Sequence, residues 1–85
     1  MNNITFDMQI EKIKEEVEEL EKAIGQKNVD CIVEECADCF VSMENLKDML
    51  QRDYGFSDEE LGYMEMYKKA RTSRRMQEGY YDGKR

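Results

Sequence analysis

Apolar residues recur along this chain at alternating steps of three and four, and no proline interrupts them. Ile10, Ile13, Val17, Leu20 and Ile24 make one such series, and Ile32, Val33, Cys36, Phe40, Met43, Leu46 and Leu50 make a second, broader one. That period is the signature of helices with one face turned inward, and it leaves no place for strand alternation. The chain is therefore expected to be all-α.

Local signals set the helix limits. The first helix is expected over about residues 5–24 with Gly25 as its left-handed cap. The second is expected over 30–53, capped by Asn28 or Asp30 and stopped before Gly55. Ser57 and Glu60 form a capping box for the third, over 58–77, with Asp58 and Glu59 at its positive end. Gly79 is a candidate terminator, and residues 78–85 read as a tail. Nothing reads as a repeat or linker, so residues 1–85 are expected to form a single domain. In a chain of 85 residues a lone core is marginal. The three helices are therefore expected to pack as an antiparallel bundle completed by homo-oligomerisation, as a dimer or tetramer, and the breadth of the second apolar face suits more than one neighbour.

Charge is divided along the chain. Residues 1–65 carry 18 acids and 6 bases, whereas residues 66–85 carry 2 acids and 7 bases. A uniformly basic nucleic-acid surface is not what this describes, so nucleic acid is not an expected partner. An acidic body with a basic end instead suits a cation and an anion held side by side. No apolar run reaches the roughly 20 residues of a membrane span, and the first residues lack the layout of an export signal, so a cytoplasmic protein is expected.

The chain has no histidine, which removes serine-histidine and cysteine-histidine catalysis and the usual zinc ligand sets. Cys31, Cys36 and Cys39 repeat part of the plant-type iron-sulfur spacing, but without a fourth cysteine and within a helical pattern. They read as small core residues. Chemistry is left to carboxylates, Lys, Arg, Tyr or a bound ion.

Two acidic clusters stand out: Glu15, Glu16 and Glu19 as E-E-x-x-E, and Glu35 and Asp38 as E-x-x-D. Residues three apart share a helix face, so Glu16 with Glu19, and Glu35 with Asp38, each present two carboxylates along one edge. Glu16 falls about 70° from the centre of its apolar series at about 100° per residue. For the first cluster a solvated face with Lys12 and Lys22 as partners is a sufficient account. The second is harder to explain so: no basic residue lies between Lys27 and Lys47, while Asp30, Glu34, Glu35, Asp38 and Glu44 do. Like charges set among apolar neighbours need a compensating cation. An all-carboxylate site formed by Glu16, Glu19, Glu35 and Asp38 suits a hard ion, Mg2+ or Mn2+.

On the third helix Lys68, Arg71 and Arg75 follow steps of three and four and line one edge, as groups binding a triphosphate need to do. Part of this basic series is equally explained by the negative end of the helix dipole. Tyr63, Tyr67, Tyr80 and Tyr81 are available to stack on a nucleobase or to pack between subunits.

E-E-x-x-E followed after 15 residues by E-x-x-D resembles the metal motif of the MazG-like all-α nucleoside-triphosphate pyrophosphohydrolases. K-E-E-V-E-E-L-E-K-A-I is similar to the family's first motif helix, E-E-C-A-D-C-F-V to its second, and K-K-A-R-T-S-R-R to the basic helix of short, phage-type members. The resemblance implies a protein of the host cytoplasm if phage-encoded. It implies Mg2+ on Glu16, Glu19, Glu35 and Asp38, phosphates on Lys68, Arg71 and Arg75, and Glu15 as a base or second-metal ligand. The implied reaction is hydrolysis of a nucleoside triphosphate, or its deoxy analogue, to the monophosphate and pyrophosphate. The rival reading is a helical module that binds nucleotide or a protein partner without hydrolysis.

Overall fold

A computed structural model describes residues 3–77. Within them the chain forms three helices and no strand: α1 (Phe6–Gln26), α2 (Val29–Tyr54) and α3 (Asp58–Gln77). It divides into two compact units between Tyr54 and Gly55, the first holding α1 and α2 and the second holding α3.

Each helix begins where a side chain can take up an orphan backbone N–H. Thr5 Oγ1 accepts from Met8 N at 3.1 Å, and Asn28 Oδ1 accepts from Cys31 N at 3.2 Å. At α3 the capping box is closed in both directions. Ser57 Oγ accepts from Glu60 N at 3.1 Å, and Glu60 Oε1 accepts from Ser57 N at 2.8 Å.

The first helix ends differently from expectation. Gly25 lies inside α1, and the left-handed residue is Lys27, at φ 60° and ψ 29°, whose N–H reaches the carbonyls of Ala23 and Ile24. The cause is the brevity of the connection. Only Lys27 and Asn28 separate α1 from α2, and Asn28 serves as the cap of α2, so the reversal falls on the lysine. At the other end of α2 the turn falls on Gly55, at φ +77°, as expected of a residue without a Cβ. Gly79 and the tail 78–85, with Tyr80 and Tyr81, lie outside the described residues.

Helices α1 and α2 pack on each other. The ring of Phe6, at the start of α1, stacks on that of Tyr54, at the end of α2, with centroids 6.3 Å apart and planes inclined by 27°. One turn on, the buried Gln9 Nε2 donates to the main-chain oxygen of Ser42 at 2.9 Å. The sheltered row on α1 is Phe6, Gln9, Ile13, Glu16, Leu20 and Ala23. It shares only Ile13 and Leu20 with the expected apolar series. Ile10, Val17 and Ile24 are 37%, 51% and 55% exposed. The packed edge is thus rotated to take in Gln9, Glu16 and Ala23, and Ile10, Val17 and Ile24 remain on the surface. On α2, Val33 and Phe40 remain 63% and 72% exposed.

The described core is correspondingly thin: Ala23 and Cys39 are its buried apolar residues, and no large side chain is fully enclosed. Cys39 bears out the reading of a small core residue, Cys31 and Cys36 are half-buried, and all three are free thiols. No helix among the described residues is long and apolar enough to cross a membrane.

Candidate metal centre

The sheltered row places Glu16 two turns beyond Gln9 and on the same face of α1. Its side chain is only 14% exposed, and Lys12 Nζ lies 3.9 Å from Oε1. Glu19, one turn further, is half exposed and has Lys22 Nζ at 3.5 Å. From α2, Glu35 is half-buried and Asp38 exposed. Partial burial pushes the Glu35 carboxyl above its ordinary value, and the carboxylates of Asp38, Glu19, Glu34 and Glu16 push it further in the same direction. The acidic motif of α1, far away in sequence, therefore acts on Glu35 across the α1–α2 contact. The Cys39 thiol beside them is raised by burial first, then by Glu16, Cys36, Asp38 and Glu35.

Glu15 stands apart from this group. It is exposed and lines a shallow depression on α1 with Asp7, Met8, Glu11 and Lys12. One residue from Glu16, it is turned by about 100° around the helix.

The donor chemistry fits a hard divalent cation. Every candidate ligand offers carboxylate oxygens, the preference of Mg2+ and Mn2+, and Glu35 carries a concentration of like charge that such an ion would neutralise. The side-chain positions are not those of a closed cage: among the described residues no three Asp, Glu or Cys groups converge on one ion position. Glu16 and Glu19 are turned instead toward their neighbouring lysines, as mutually repelling carboxylates with cations one turn away will be.

The second unit carries the basic series. Lys68, Arg71 and Arg75 lie on α3, with Lys68 exposed and the two arginines half-buried. The Arg71 guanidinium sits 5.8 Å from the centroid of the Tyr67 ring, and its buried Nε–H has no acceptor among the described residues.

Sequence reasoning missed Gln9. The available signal was a polar residue at the helical spacing of Phe6, Ile13 and Leu20, which the stronger series through Ile10, Val17 and Ile24 obscured.

Comparison with curated proteins and with solved structures gives no match for this chain. The family model described as the MazG nucleotide pyrophosphohydrolase domain matches residues 5–75. That span takes in α1 and α2 whole, both acidic motifs, and α3 as far as Arg75. The chain belongs to the MazG nucleotide pyrophosphohydrolase domain family.

Proposed function

We propose that this protein is a Mg2+-dependent nucleoside-triphosphate pyrophosphohydrolase, converting a ribo- or deoxynucleoside triphosphate to the monophosphate and pyrophosphate. The observation that carries the reading is that the Glu35 carboxyl on α2 is raised by burial, by Asp38 one turn away and by Glu19 and Glu16 from α1, in a chain of this family.

Glu16, Glu19, Glu35 and Asp38 are the proposed ligands, with Mn2+ an acceptable substitute. When bound, the ion neutralises the triphosphate and lowers the pKa of a water positioned for attack at the α-phosphorus. Glu15 is proposed as a base for that water or as a ligand of a second ion. Lys68, Arg71 and Arg75 are proposed to hold phosphate oxygens, and the Arg71 Nε–H without an acceptor is a donor of the kind an oxyanion requires.

The active form is proposed to be a homo-oligomer, its helices packed as an antiparallel bundle. Support comes from the thin core and from the exposed Ile10, Val17, Ile24, Val33 and Phe40, apolar surface of the kind that marks an interface. Location in the cytoplasm is proposed on the same terms as the substrate.

The test is pyrophosphate release from a panel of ribo- and deoxynucleoside triphosphates, with Mg2+ and with chelator. The reading expects Mg2+-dependent release from at least one. Nucleotide binding without release would establish the rival reading of a non-hydrolytic module.

A further inference from the structure

Between the first turns of α1 and the later turns of α2 lies a depression of about 350 Å3, lined by Ile4, Met8, Gln9, Lys12, Ser42 and Asn45, inside the roughly 300–1,000 Å3 range of small-molecule sites. A neighbouring depression shares Ile4, Gln9 and Asn45 and adds Asp48, Met49 and Arg52. Each thus sets two apolar side chains beside four polar or charged ones, so that hydrogen-bonding groups outnumber apolar surfaces in its lining.

Gln9 is among the polar lining residues of the first depression and is 6% exposed. Its Nε2 donates to the Ser42 carbonyl at 2.9 Å, which fixes the orientation of the amide because a carbonyl oxygen accepts only from the NH2 end. Among the described residues Oε1 has no hydrogen-bond donor of its own. An acceptor and a second N–H thus remain side by side on a held amide. Glu16 follows Gln9 by seven positions, which sets them about 10 Å apart on the same helix face. That separation is comparable with the reach from a nucleotide's α-phosphate to the far edge of its base.

We propose that this depression takes the nucleobase of the substrate, and that the Gln9 amide accepts from an N–H on the base edge while Ile4 and Met8 cover its faces. The proposal rests on the nucleotide reading above, and deepens it.

The test uses the full chain with Mg2+ and the side-chain amide resonances of Gln9, titrated with each of four nucleoside monophosphates and, separately, with inorganic phosphate. At least one monophosphate is expected to move the Gln9 amide, and phosphate to leave it in place. In parallel, Gln9→Leu is expected to narrow the ratio of kcat/KM between the best and worst bases by about three- to tenfold, the worth of one neutral hydrogen bond. Asn45→Leu, a substitution at an exposed position, is expected to change the same ratio and guards against a folding defect in the first variant. Unchanged ratios in both variants would overturn the proposal, as would a Gln9 amide that responds to phosphate alone, or one that shifts with protein concentration but with no nucleotide, the sign of a second copy covering the depression. A monophosphate that moves the Gln9 amide in a protein that hydrolyses no triphosphate would uphold the pocket and remove the hydrolase.

Discussion

Lys12 Nζ stands 3.9 Å from the carboxylate of Glu16, a side chain only 14% exposed and set two turns along the same face from the buried Gln9. A sheltered carboxylate whose nearest cation is a lysine one turn away is neutralised only in part, and a divalent ion competes for it directly. Replacing Lys12 by Met removes that competitor and one positive charge. Mg2+ affinity is expected to rise about fivefold, from the roughly 1 kcal/mol of a partly exposed ion pair. Calorimetric titration with Mg2+ alone checks this, and an unchanged or weaker affinity would show that Lys12 and the ion do not share Glu16.

Glu35 carries the reverse strain. Its carboxyl is raised by partial burial and by Asp38, Glu19, Glu34 and Glu16, so the folded chain binds its proton more tightly than the unfolded chain does. Stability therefore falls as pH rises from the ordinary carboxylate range through the raised folded value, and recovers on acidification. Glu35→Gln is expected to raise the melting temperature in chelator at neutral pH, to flatten that part of the pH profile, and to abolish stabilisation by Mg2+. A lower melting temperature in chelator would mean that Glu35 is favourably paired.

The turn between α1 and α2 separates two accounts of how the first helix ends. Gly25 lies within α1 and a Cβ there meets nothing within 4 Å. Gly25→Ala is accordingly expected to stabilise the protein by about 0.8–1.0 kcal/mol. Lys27 takes the left-handed conformation, which costs a side-chain-bearing residue about 1–2 kcal/mol, while glycine loses about 0.5–1 kcal/mol more in chain entropy. Lys27→Gly is thus expected to gain about 0.5–1 kcal/mol in the same denaturant experiment. Destabilisation by Gly25→Ala would place the cap at Gly25 instead.

Helix existence was legible because the signals were local. Thr5, Asn28 and the Ser57–Glu60 box act within one turn, and the structure uses each of them. Which edge of α1 packs on α2 was not legible, because apolar size alone favours the series through Ile10, Val17 and Ile24. The edge chosen contains Gln9 and Glu16, whose value depends on partners in α2 that a single-helix pattern does not display. E-x-x-E and E-x-x-D place carboxylates on helix edges whatever the neighbour, and Glu16 and Glu19 do bear on Glu35 across the contact. Where the side chains point was not legible, because Glu16 and Glu19 turn to the lysines one turn away. Gly25 misled because the turn's length, not glycine's freedom, decided where the chain reverses.

Phe40, 72% exposed on α2, is a large apolar side chain that the described fold leaves on the surface of its first unit. Phe40→Glu is expected to shift the sedimentation mass from oligomer to monomer at micromolar concentration, since a charge in an apolar interface loses its hydration without a partner. A wild-type chain that sediments as a monomer would instead assign that surface to another partner.

Binding of Mg2+ to the full chain, followed calorimetrically in wild type and in Glu35→Gln/Asp38→Asn, tests the metal centre most directly. The four-carboxylate account predicts saturable binding by wild type and at least about a hundredfold weaker binding by the double variant, since each lost charged ligand removes about 1.5–3 kcal/mol. Equal affinity in the two proteins, or no saturable binding by either, would contradict it.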